Sequence, residues 1–453
     1  MSAHMIDSYL FGHVVSTDDM REVWDEKNNV QKLLDVEAAL ARAEASLGII
    51  PKEAAEEICR KAKLEFISLE EVRNGIRKTG HSLVPLLRSL EKACEGDWGQ
   101  YIHYGATTQD IRDTAMMLQV KEARAIILKD LEGFKQTLSE TVRKYAETPM
   151  AGRTHGQQAL PITFGYKAAV WLDEVTRHIE RLKESEHRLL VGNLSGAVGT
   201  YASFGPIGPE IEKRVMEQLG LGVPNICWHA SRDRFAEFLN ILALIASTCG
   251  KIANEVFNLQ TTEVDEVEEG FTAGKVGSST MPHKRNPGMS ECIVSLAKLV
   301  RGNAAVMMQA MEQEHERDGS QWRTEWVLIP ESCLYAGCAV RLSNTLVSNL
   351  TVKPKKMLEN LHLLKGLLLS EPVMFKLAEK TGKQRAHEVV YELSMYSFEK
   401  GLPLREVLLK DPRTSGVLSK EEIDQALDPL NYLGLSKDIA LRVVKACEGT
   451  GAE

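Results

Sequence analysis

The feature of the sequence that most constrains its fold is an apolar periodicity of three and four residues that persists over very long segments. The clearest segments run from Met116 to about Ala146, from Ile162 to about Leu190, from Phe235 to about Val267, and from Ser290 to about Gln313. Runs of β-branched residues with a period of two are almost absent, and aromatic residues make up only 6% of the chain. Several of these segments are longer than a typical globular helix, which is characteristic of bundles whose helices pack lengthwise. We therefore predict an all-α protein with a long central helical bundle.

Glycine and proline divide this helical pattern into three parts. They concentrate in residues 191–224 and 270–288, which we interpret as loops between long helices. Beyond about residue 357 the predicted helices become shorter, with breaks at Gly382, residues 401–403 and residues 411–412. A chain of 453 residues is long enough for more than one domain. We predict an N-terminal helical domain (1–106), a central long-helix bundle domain that forms the core of a tetramer (107–357), and a C-terminal helical domain (358–453).

Charge and cysteine content exclude several classes of protein. The 55 lysines and arginines are outnumbered by 63 aspartates and glutamates, giving a net charge of −8, which argues against general nucleic-acid binding. The nearest approach to a membrane span, Leu239 to Gly250, is shorter than the roughly 18 residues required. The eight cysteines form no CxxC pair and show no metal-like spacing. We expect a cytoplasmic protein with reduced thiols and no membrane association.

Two polar segments interrupt the helical pattern next to predicted helices. The first, GSSTMPHKRNP over residues 277–287, combines hydroxyls, cations and an amide. It is either a solvated basic loop or a site where N–H groups and cations hold an anion. The second, HYGATTQD over residues 103–110, contains Thr107 and Thr108. These threonines either cap the following helix or help its N-terminus to bind a carboxylate.

Two further polar segments each contain a histidine beside glycine. They are GRTHGQQ over residues 152–158, with His155, and TGHS over residues 79–82, with His81. A loop histidine is suited to general acid–base chemistry, although a surface histidine is the commoner case. No residue stands at a spacing that would suggest a shared site with His229, His178 or His187. We interpret these histidines as structural or surface groups. The sequence contains no GxxxxGK[ST] phosphate loop, no HExxH zinc motif and no GxSxG nucleophile motif.

Taken together and in order, three of these segments resemble a known superfamily. GSSTMPHKRNP is similar to the signature loop of the fumarase/aspartase superfamily, and HYGATTQD and GRTHGQQ are similar to its two other characteristic regions. This superfamily includes adenylosuccinate lyase, argininosuccinate lyase, aspartase, class II fumarase and 3-carboxy-cis,cis-muconate cycloisomerase. The resemblance covers nearly the whole chain. It implies the three-domain fumarase/aspartase-type fold and a homotetramer with shared active sites, each built from three subunits.

The resemblance also implies roles for individual residues. The predicted catalytic residues are Ser278 as the base, His155 as the general acid, and Glu291 as the carboxylate that orients this histidine. The predicted substrate-binding residues are Thr107, Thr108, Thr154, His81, His103, Lys284, Asn286 and Arg317. No metal and no organic cofactor is required, and the expected partner is a small dicarboxylate substrate.

The implied chemistry is β-elimination from a substituted succinate with release of fumarate. Removing a weakly acidic proton beside a carboxylate creates a carbanion, so cations and hydrogen-bond donors around that carboxylate provide the main stabilisation. Ser278 would need Lys284, loop N–H groups and exclusion of water to act as an alkoxide. His155 would then protonate the departing group.

The branch within the superfamily is less sharply specified. The histidines resemble those of adenylosuccinate lyase, but Trp322, Trp326 and residues 14–15 stand where that enzyme has its phosphate-binding residues. The neighbouring Arg323 is a candidate to replace them. Segments such as QEHERDGSQWRTEW resemble the cycloisomerase branch, which usually has tryptophan where this chain has His155. We predict a lyase that acts on a small substituted succinate, with a C–N bond preferred as the bond cleaved. The alternatives are 3-carboxy-cis,cis-muconate cycloisomerase, adenylosuccinate lyase and, in another class, a catalytically inactive structural homologue.

Overall fold

The computed structural model describes residues 4–271 and 278–449. Its helices are Gly12–Val15 (α1), Asp18–Trp24 (α2), Glu26–Ser46 (α3), Lys52–Lys61 (α4), Leu69–Thr79 (α5), Val84–Ala93 (α6), Thr108–Lys144 (α7), Phe164–Leu189 (α8), Gly208–Leu219 (α9), Asp233–Gln260 (α10), Gly288–Gln309 (α11), Gly319–Ser348 (α12), Pro354–Leu361 (α13), Ser370–Thr381 (α14), Lys383–Lys400 (α15), Leu404–Lys410 (α16), Pro412–Ser415 (α17), Lys420–Ala426 (α18) and Ser436–Gly449 (α19). The strands are Pro149–Thr154 (β1), Gln157–Thr163 (β2), Val267–Glu268 (β3) and Thr351–Val352 (β4). The all-α prediction is confirmed.

The longest helix shows why the periodic segments are helical. In α7, the side chains of Ile127, Leu131, Phe134, Leu138 and Val142 recur every three or four residues and are at most 1% exposed. Such a spacing places them on one face of a helix, which becomes the buried face. The same pattern underlies α8 and α11, which lie close to their predicted positions. It also underlies α10, which ends at Gln260 rather than at about Val267, a residue of strand β3.

The chain divides into two compact units. The first contains the described residues of Met1–Leu131, His178–Gly250 and Cys292–Arg341, and the second those of Glu132–Arg177, Lys251–Glu291 and Leu342–Glu453. Within the first unit, α3 packs against α2, α4 and α9. Within the second, the helices after residue 369 surround a core that includes Val373, Leu377, Leu404 and Leu408. The division into three domains at residues 106 and 357 stays a prediction.

The breaks predicted in the C-terminal part are confirmed. Helix α14 ends at Thr381 before Gly382, α15 ends at Lys400 before Gly401, and α16 ends at Lys410 before residues 411–412. Gly382 and Gly401 both have positive φ, a conformation that glycine adopts at little cost.

Two sequence interpretations need correction. Residues 191–224 are not a continuous loop, because they contain helix α9. Pro209 lies in the first turn of this helix and Gly220 forms its left-handed C-cap, so both mark helix ends rather than a loop. In addition, GRTHGQQ lies in the antiparallel hairpin of β1 and β2 rather than in an irregular loop. The hairpin has little alternation of apolar and polar residues, which hid it from a search for period two.

Helix α10 is long and apolar enough to cross a membrane by length and composition alone. However, 67% of the most apolar 18-residue stretch of this helix is buried inside the protein. Burial of this kind is typical of a core helix of a soluble protein, and we interpret α10 in that way.

Candidate active site

A buried carboxylate, Asp110, organises the start of α7 in the first unit. Its Oδ2 atom accepts hydrogen bonds from the backbone N–H groups of Thr107 (3.0 Å) and Gly196 (2.9 Å). Its Oδ1 atom accepts one from the N–H of Ser195 (3.1 Å) and lies 2.9 Å from Nε2 of His229. Asp110 is 0% exposed. The backbone at Thr107 is therefore fixed by a carboxylate that has no contact with solvent.

Two of the predicted substrate-binding residues meet at this point. The Arg317 guanidinium donates to the Thr107 hydroxyl (3.3 Å) and to the carbonyl of Ala197 (2.7 Å). Thr108 is the first residue of α7, where unpaired N–H groups and the helix dipole favour an anion. An exposed cation, a hydroxyl and a helix N-terminus thus come together, and these are the groups that would hold a carboxylate.

The predicted site residue His103 has a partner that the sequence did not reveal. Its Nδ1 atom lies 2.7 Å from Oε1 of Glu37 on α3, and only 1% of the Glu37 side chain is exposed. Burial opposes a charge on His103, but the neighbouring Glu37 carboxylate outweighs this effect and raises the pKa of the imidazole. His103 also has a φ of 61°, in the left-handed region. Such backbone strain is concentrated at functional sites.

His81 has a structural contact in addition to its predicted role. Its Nδ1 atom accepts hydrogen bonds from the N–H groups of Leu83 (3.3 Å) and Val84 (3.1 Å), at the start of α6. Because Nδ1 is an acceptor, the proton of the neutral ring is on Nε2. The ring therefore satisfies helix N–H groups through one nitrogen and keeps a donor on the other.

In the second unit, His155 and Thr154 lie at the end of the β1–β2 hairpin. Thr154 pairs with Gln157, so His155 and Gly156 form a two-residue turn, with φ values of 51° and 77°. Positive φ at both turn residues is characteristic of the hairpin turns that match strand twist. Thr154 and His155 are exposed. The hairpin therefore presents the predicted general acid at its tip.

An ion pair with a buried carboxylate anchors this hairpin. The Arg153 guanidinium makes two hydrogen bonds to the Glu266 carboxylate, at 2.9 Å and 2.7 Å. Glu266 is 0% exposed and also accepts a hydrogen bond from the Asn360 amide (2.9 Å). A bidentate pair of this kind restricts orientation as well as position. The residue next to Thr154 is thus held rigidly, although sequence reasoning gave no role to Arg153 or Glu266.

The predicted base, Ser278, lies in the segment that precedes α11. Its hydroxyl oxygen accepts hydrogen bonds from the backbone N–H groups of Met281 (3.1 Å) and Thr280 (3.4 Å). Donors aimed at this oxygen would stabilise an alkoxide, as the predicted chemistry requires. Lys284 and Asn286 follow and are exposed, whereas Gly277 lies outside the described residues. Among the residues that the structure describes, no hydrogen bond joins His155 to Ser278, Lys284 or Asn286.

The C-terminal end of this segment is anchored by residues that sequence reasoning missed. The Glu269 carboxylate accepts hydrogen bonds from the N–H groups of Ser290 (2.7 Å) and Met289 (3.1 Å), in the first turn of α11. Gln260 accepts from the N–H of Glu269 (2.8 Å) and donates to the carbonyl of Arg285 (3.1 Å). The predicted residue Glu291 lies in the same first turn and is exposed. Its role in orienting His155 stays a prediction.

Comparison with known proteins identifies the family. The sequence profile described as Lyase matches residues 13–302, and the profile described as Adenylosuccinate lyase C-terminus matches residues 366–443. This chain belongs to the lyase family of the fumarase/aspartase superfamily. The superfamily predicted from the three polar segments is therefore confirmed.

Two relatives of this lyase match over its full length. N-acetyl-S-(2-succino)cysteine lyase of Dickeya dadantii (strain 3937) is 45% identical over 451 residues, which cover 100% of this chain and 99% of the relative. Adenylosuccinate lyase of Pyrococcus abyssi (strain GE5 / Orsay) is 44% identical over 450 residues, which cover 99% and 98%. The predicted enzyme class, a fumarate-releasing lyase of the adenylosuccinate lyase and cycloisomerase branch, is confirmed. The alternative of an inactive structural homologue has no support.

Solved structures agree with this placement. The 3-carboxy-cis,cis-muconate lactonizing enzyme from Pseudomonas putida has a TM-score of 0.93 and 37% identity, with coverage of 98% of this chain and 100% of that chain. A fumarate lyase from Mesorhizobium sp. BNC1 has a TM-score of 0.89 and 38% identity, with coverage of 95% and 98%. The helical fold predicted for the lyase is thus that of its superfamily.

The positions expected to bind a phosphate in adenylosuccinate lyase contain an aromatic cluster in this lyase. Trp322 and Trp326 pack edge to face with ring centroids 5.0 Å apart, and the Arg112 guanidinium lies 4.2 Å from the centre of the Trp326 ring. The Trp322 indole donates to Oδ1 of Asp113 (2.8 Å). Asp113 in turn forms two hydrogen bonds, at 2.7 Å and 3.1 Å, with the fully buried Arg232. The indoles are therefore fixed in place and supply no cation to a phosphate.

Proposed function

We propose that this lyase cleaves the C–S bond of an S-(2-succino) thiol of the N-acetyl-S-(2-succino)cysteine class, releasing fumarate and the free thiol. The observation that carries the proposal is the 45% identity to N-acetyl-S-(2-succino)cysteine lyase across 100% of the chain. The aromatic cluster of Trp322 and Trp326 supports it, because a succinated thiol carries no phosphate. The proposal keeps the predicted β-elimination and replaces the nitrogen leaving group with sulfur.

In this proposal the predicted site residues have separate tasks in the elimination. Thr107, Thr108 and Arg317 bind one carboxylate of the succinyl group, and Lys284 and Asn286 bind the carboxylate next to the carbon that loses its proton. Ser278 removes that proton while the N–H groups of Met281 and Thr280 stabilise its oxygen. The electron pair of the broken C–H bond then forms the fumarate double bond as the C–S bond breaks.

His155 protonates the departing sulfur in this scheme. A thiol has a pKa near 8.5, so a thiolate is a far better leaving group than an amine anion and requires less help from an acid. We therefore expect the loss of His155 to slow C–S cleavage less than the loss of Ser278. For C–N cleavage the loss of His155 should not be the milder of these two changes, because protonation of the departing nitrogen is essential.

Adenylosuccinate is the second candidate substrate, because the relative from Pyrococcus abyssi is 44% identical. The two candidates are separated by measuring fumarate release from N-acetyl-S-(2-succino)cysteine, adenylosuccinate and a substituted aspartate without a nucleotide. We expect kcat/KM for the thioether to exceed the other values by at least about 100-fold, because apolar contacts alone discriminate by about 10- to 200-fold and unmatched polar groups by more. Turnover of adenylosuccinate with no turnover of the thioether would overturn the proposal.

We also propose that the active lyase is a cytoplasmic homotetramer in which three subunits contribute to each site. The support is the superfamily resemblance and the wide separation of the predicted site residues along the sequence. The test is to unfold Ser278→Ala and His155→Asn subunits together and refold them as mixed tetramers. Activity should reappear in a minority of sites, from two impaired parents, if these residues belong to different subunits. Mixed tetramers with no more activity than their parents would show that Ser278 and His155 act within one chain.

A further inference from the structure

A cysteine outside the predicted catalytic set, Cys227, is surrounded by hydrogen-bond donors. The Asn193 amide donates to its sulfur at 3.9 Å, and the Ser195 hydroxyl also lies beside it. Gly199, with a φ of 82°, closes over the sulfur so tightly that an added Cβ would lie 2.7 Å from Sγ. Cys227 is half-buried. The side chain is therefore held in a fixed place, in a residue that is partly exposed.

A buried histidine connects this sulfur to Asp110. His229 is 1% exposed, and its Nε2 atom lies 2.9 Å from Oδ1 of Asp110. Its other nitrogen, Nδ1, is buried and meets no partner with hydrogen-bond geometry among the described residues. The group beside this ring is the Cys227 sulfur. The order cysteine, histidine, aspartate is that of an activated nucleophile and the base that its carboxylate orients.

The electrostatics of the cluster agree with this geometry. Burial alone would raise the pKa of the Cys227 thiol, but His229 lowers it below its ordinary value. Burial also opposes a charge on His229, yet the hydrogen bond to Asp110 raises the pKa of its imidazole to about 9. The other half-buried thiols behave in the opposite way, since burial raises the pKa of Cys59, Cys94 and Cys292.

We propose that Cys227 is a modification site, whose thiolate form hydrogen peroxide oxidises to a sulfenic acid, and that this oxidation lowers the activity of the lyase. The sulfur attacks one oxygen of the peroxide, so that an S–O bond forms and the O–O bond breaks. The departing hydroxide takes the proton of the His229 imidazolium and leaves as water. The sulfur is oxidised by two electrons and the peroxide is reduced, with no other reactant.

Asp110 connects this reaction to the predicted substrate site. Before oxidation, Asp110 faces a protonated His229 and also holds the N–H of Thr107 (3.0 Å). After oxidation His229 is neutral, and the buried carboxylate has lost the cation that balanced its charge. Asp110 keeps its hydrogen bonds from the N–H groups of Thr107, Ser195 and Gly196. Without the neighbouring cation, however, its buried charge is less well stabilised, and we expect the backbone that it holds to shift. We expect weaker binding of the carboxylate at Thr107, seen as a raised KM.

Thiol mapping on the full-length protein tests the modification itself. The folded protein is treated briefly with hydrogen peroxide in the presence of dimedone, digested and analysed by mass spectrometry. Cys227 should be labelled at least about 10-fold faster than Cys292, the matched half-buried thiol, since reactivity follows thiolate content. Equal or slower labelling of Cys227 would overturn the proposal, whatever the substrate of the lyase.

Activity measurements test the consequence of oxidation. Peroxide should raise the KM of the wild-type lyase several-fold, and a thiol reductant should reverse the change. Cys227→Ser and, as a second variant, Cys227→Ala should keep the starting activity and resist peroxide. Inactivation of these variants at the wild-type rate, or labelling of Cys227 with unchanged KM, would contradict the proposal.

Discussion

The Nδ1 atom of His103 lies 2.7 Å from the Oε1 atom of Glu37, although the two residues are 66 positions apart in the sequence. This pair fixes the orientation of an imidazole that the sequence assigned to the substrate site. Because one ring nitrogen is committed to Glu37, the other is the one available to a ligand. Glu37 therefore acts as a positioning residue for His103.

Replacing Glu37 should change the titration of His103. In Glu37→Gln the neighbouring negative charge is lost, so the pKa of His103 should fall from its raised value to its ordinary value or below. NMR titration of the His103 ring measures the shift, and the acid limb of the pH profile of kcat/KM should move in the same direction. Asp35→Asn, on the same helix α3, is the control. An unchanged His103 titration in Glu37→Gln would show that the pair has no electrostatic role.

The role of Ser278 as the base can be tested by removing its hydroxyl oxygen. Ser278→Ala should lower kcat by at least about 100-fold, the scale of a lost acid–base group, with no change in fold or assembly. Ser279→Ala, which changes the adjacent exposed hydroxyl, should remain close to wild type. Fumarate release, circular dichroism and native mass are the measurements. A folded Ser278→Ala protein with nearly full activity would remove Ser278 from the mechanism.

The aromatic cluster at Trp322 and Trp326 predicts that the lyase does not bind nucleotides. Free AMP should neither raise the melting temperature nor inhibit the lyase at low concentration, because a ligand stabilises a protein only if it binds the native state. Fumarate, measured in parallel, should raise the melting temperature. Stabilisation by AMP would instead favour adenylosuccinate as the substrate.

A buried acid on α3 predicts a pH-dependent stability. Glu44 is 0% exposed and both of its carboxylate oxygens lack a hydrogen-bond partner among the residues described. Burial, with a smaller contribution from the nearby Glu37, raises its pKa from 4.5 to about 8. Between these two values the folded state holds a proton that the unfolded state has released. The free energy of unfolding should therefore fall as the pH rises from about 4.5 to about 8.

Glu44→Gln should remove this loss of stability. The variant should melt several degrees above the wild type at pH 8, and the difference should vanish near pH 4, where both states of the wild type are protonated at this position. Glu53→Gln, at an exposed position on α4, should show no such pH-dependent difference. A constant difference between Glu44→Gln and wild type at all pH values would contradict a titration at Glu44.

The sequence predicted what depends on local periodicity and missed what depends on distant contacts. Helices α8 and α11 were placed closely because their apolar residues recur along one face. Helix α7 begins at Thr108, near the cap position predicted for the two threonines. Its apolar periodicity begins only at Met116, because the first turns contain polar residues such as Gln109 and Asp110 that face buried partners. Their partners lie far along the chain, and no spacing rule connects them.

The same reason explains the supporting residues of the candidate site that were missed. His229 was interpreted as a structural or surface group, and its contact with Asp110 was not predicted because the two residues are 119 positions apart. Glu37 lies within an apolar helical segment and carried no signal of its own. The sequence also showed no sign of the roles of Glu266 and Glu269. Each role follows only from the cation or the backbone N–H groups that the carboxylate binds.

The turn at His155 and Gly156 has a consequence for how such enzymes change their chemistry. His155 adopts its positive φ as a turn residue, and histidine tolerates that conformation better than most side chains. Strand pairing and the Arg153–Glu266 ion pair hold the hairpin in place. Its backbone conformation therefore does not depend on the imidazole. One substitution at this position therefore adds or removes the predicted acid while the hairpin persists. An exposed turn of this kind is a position at which elimination and ring closure can diverge within the superfamily without a change of fold.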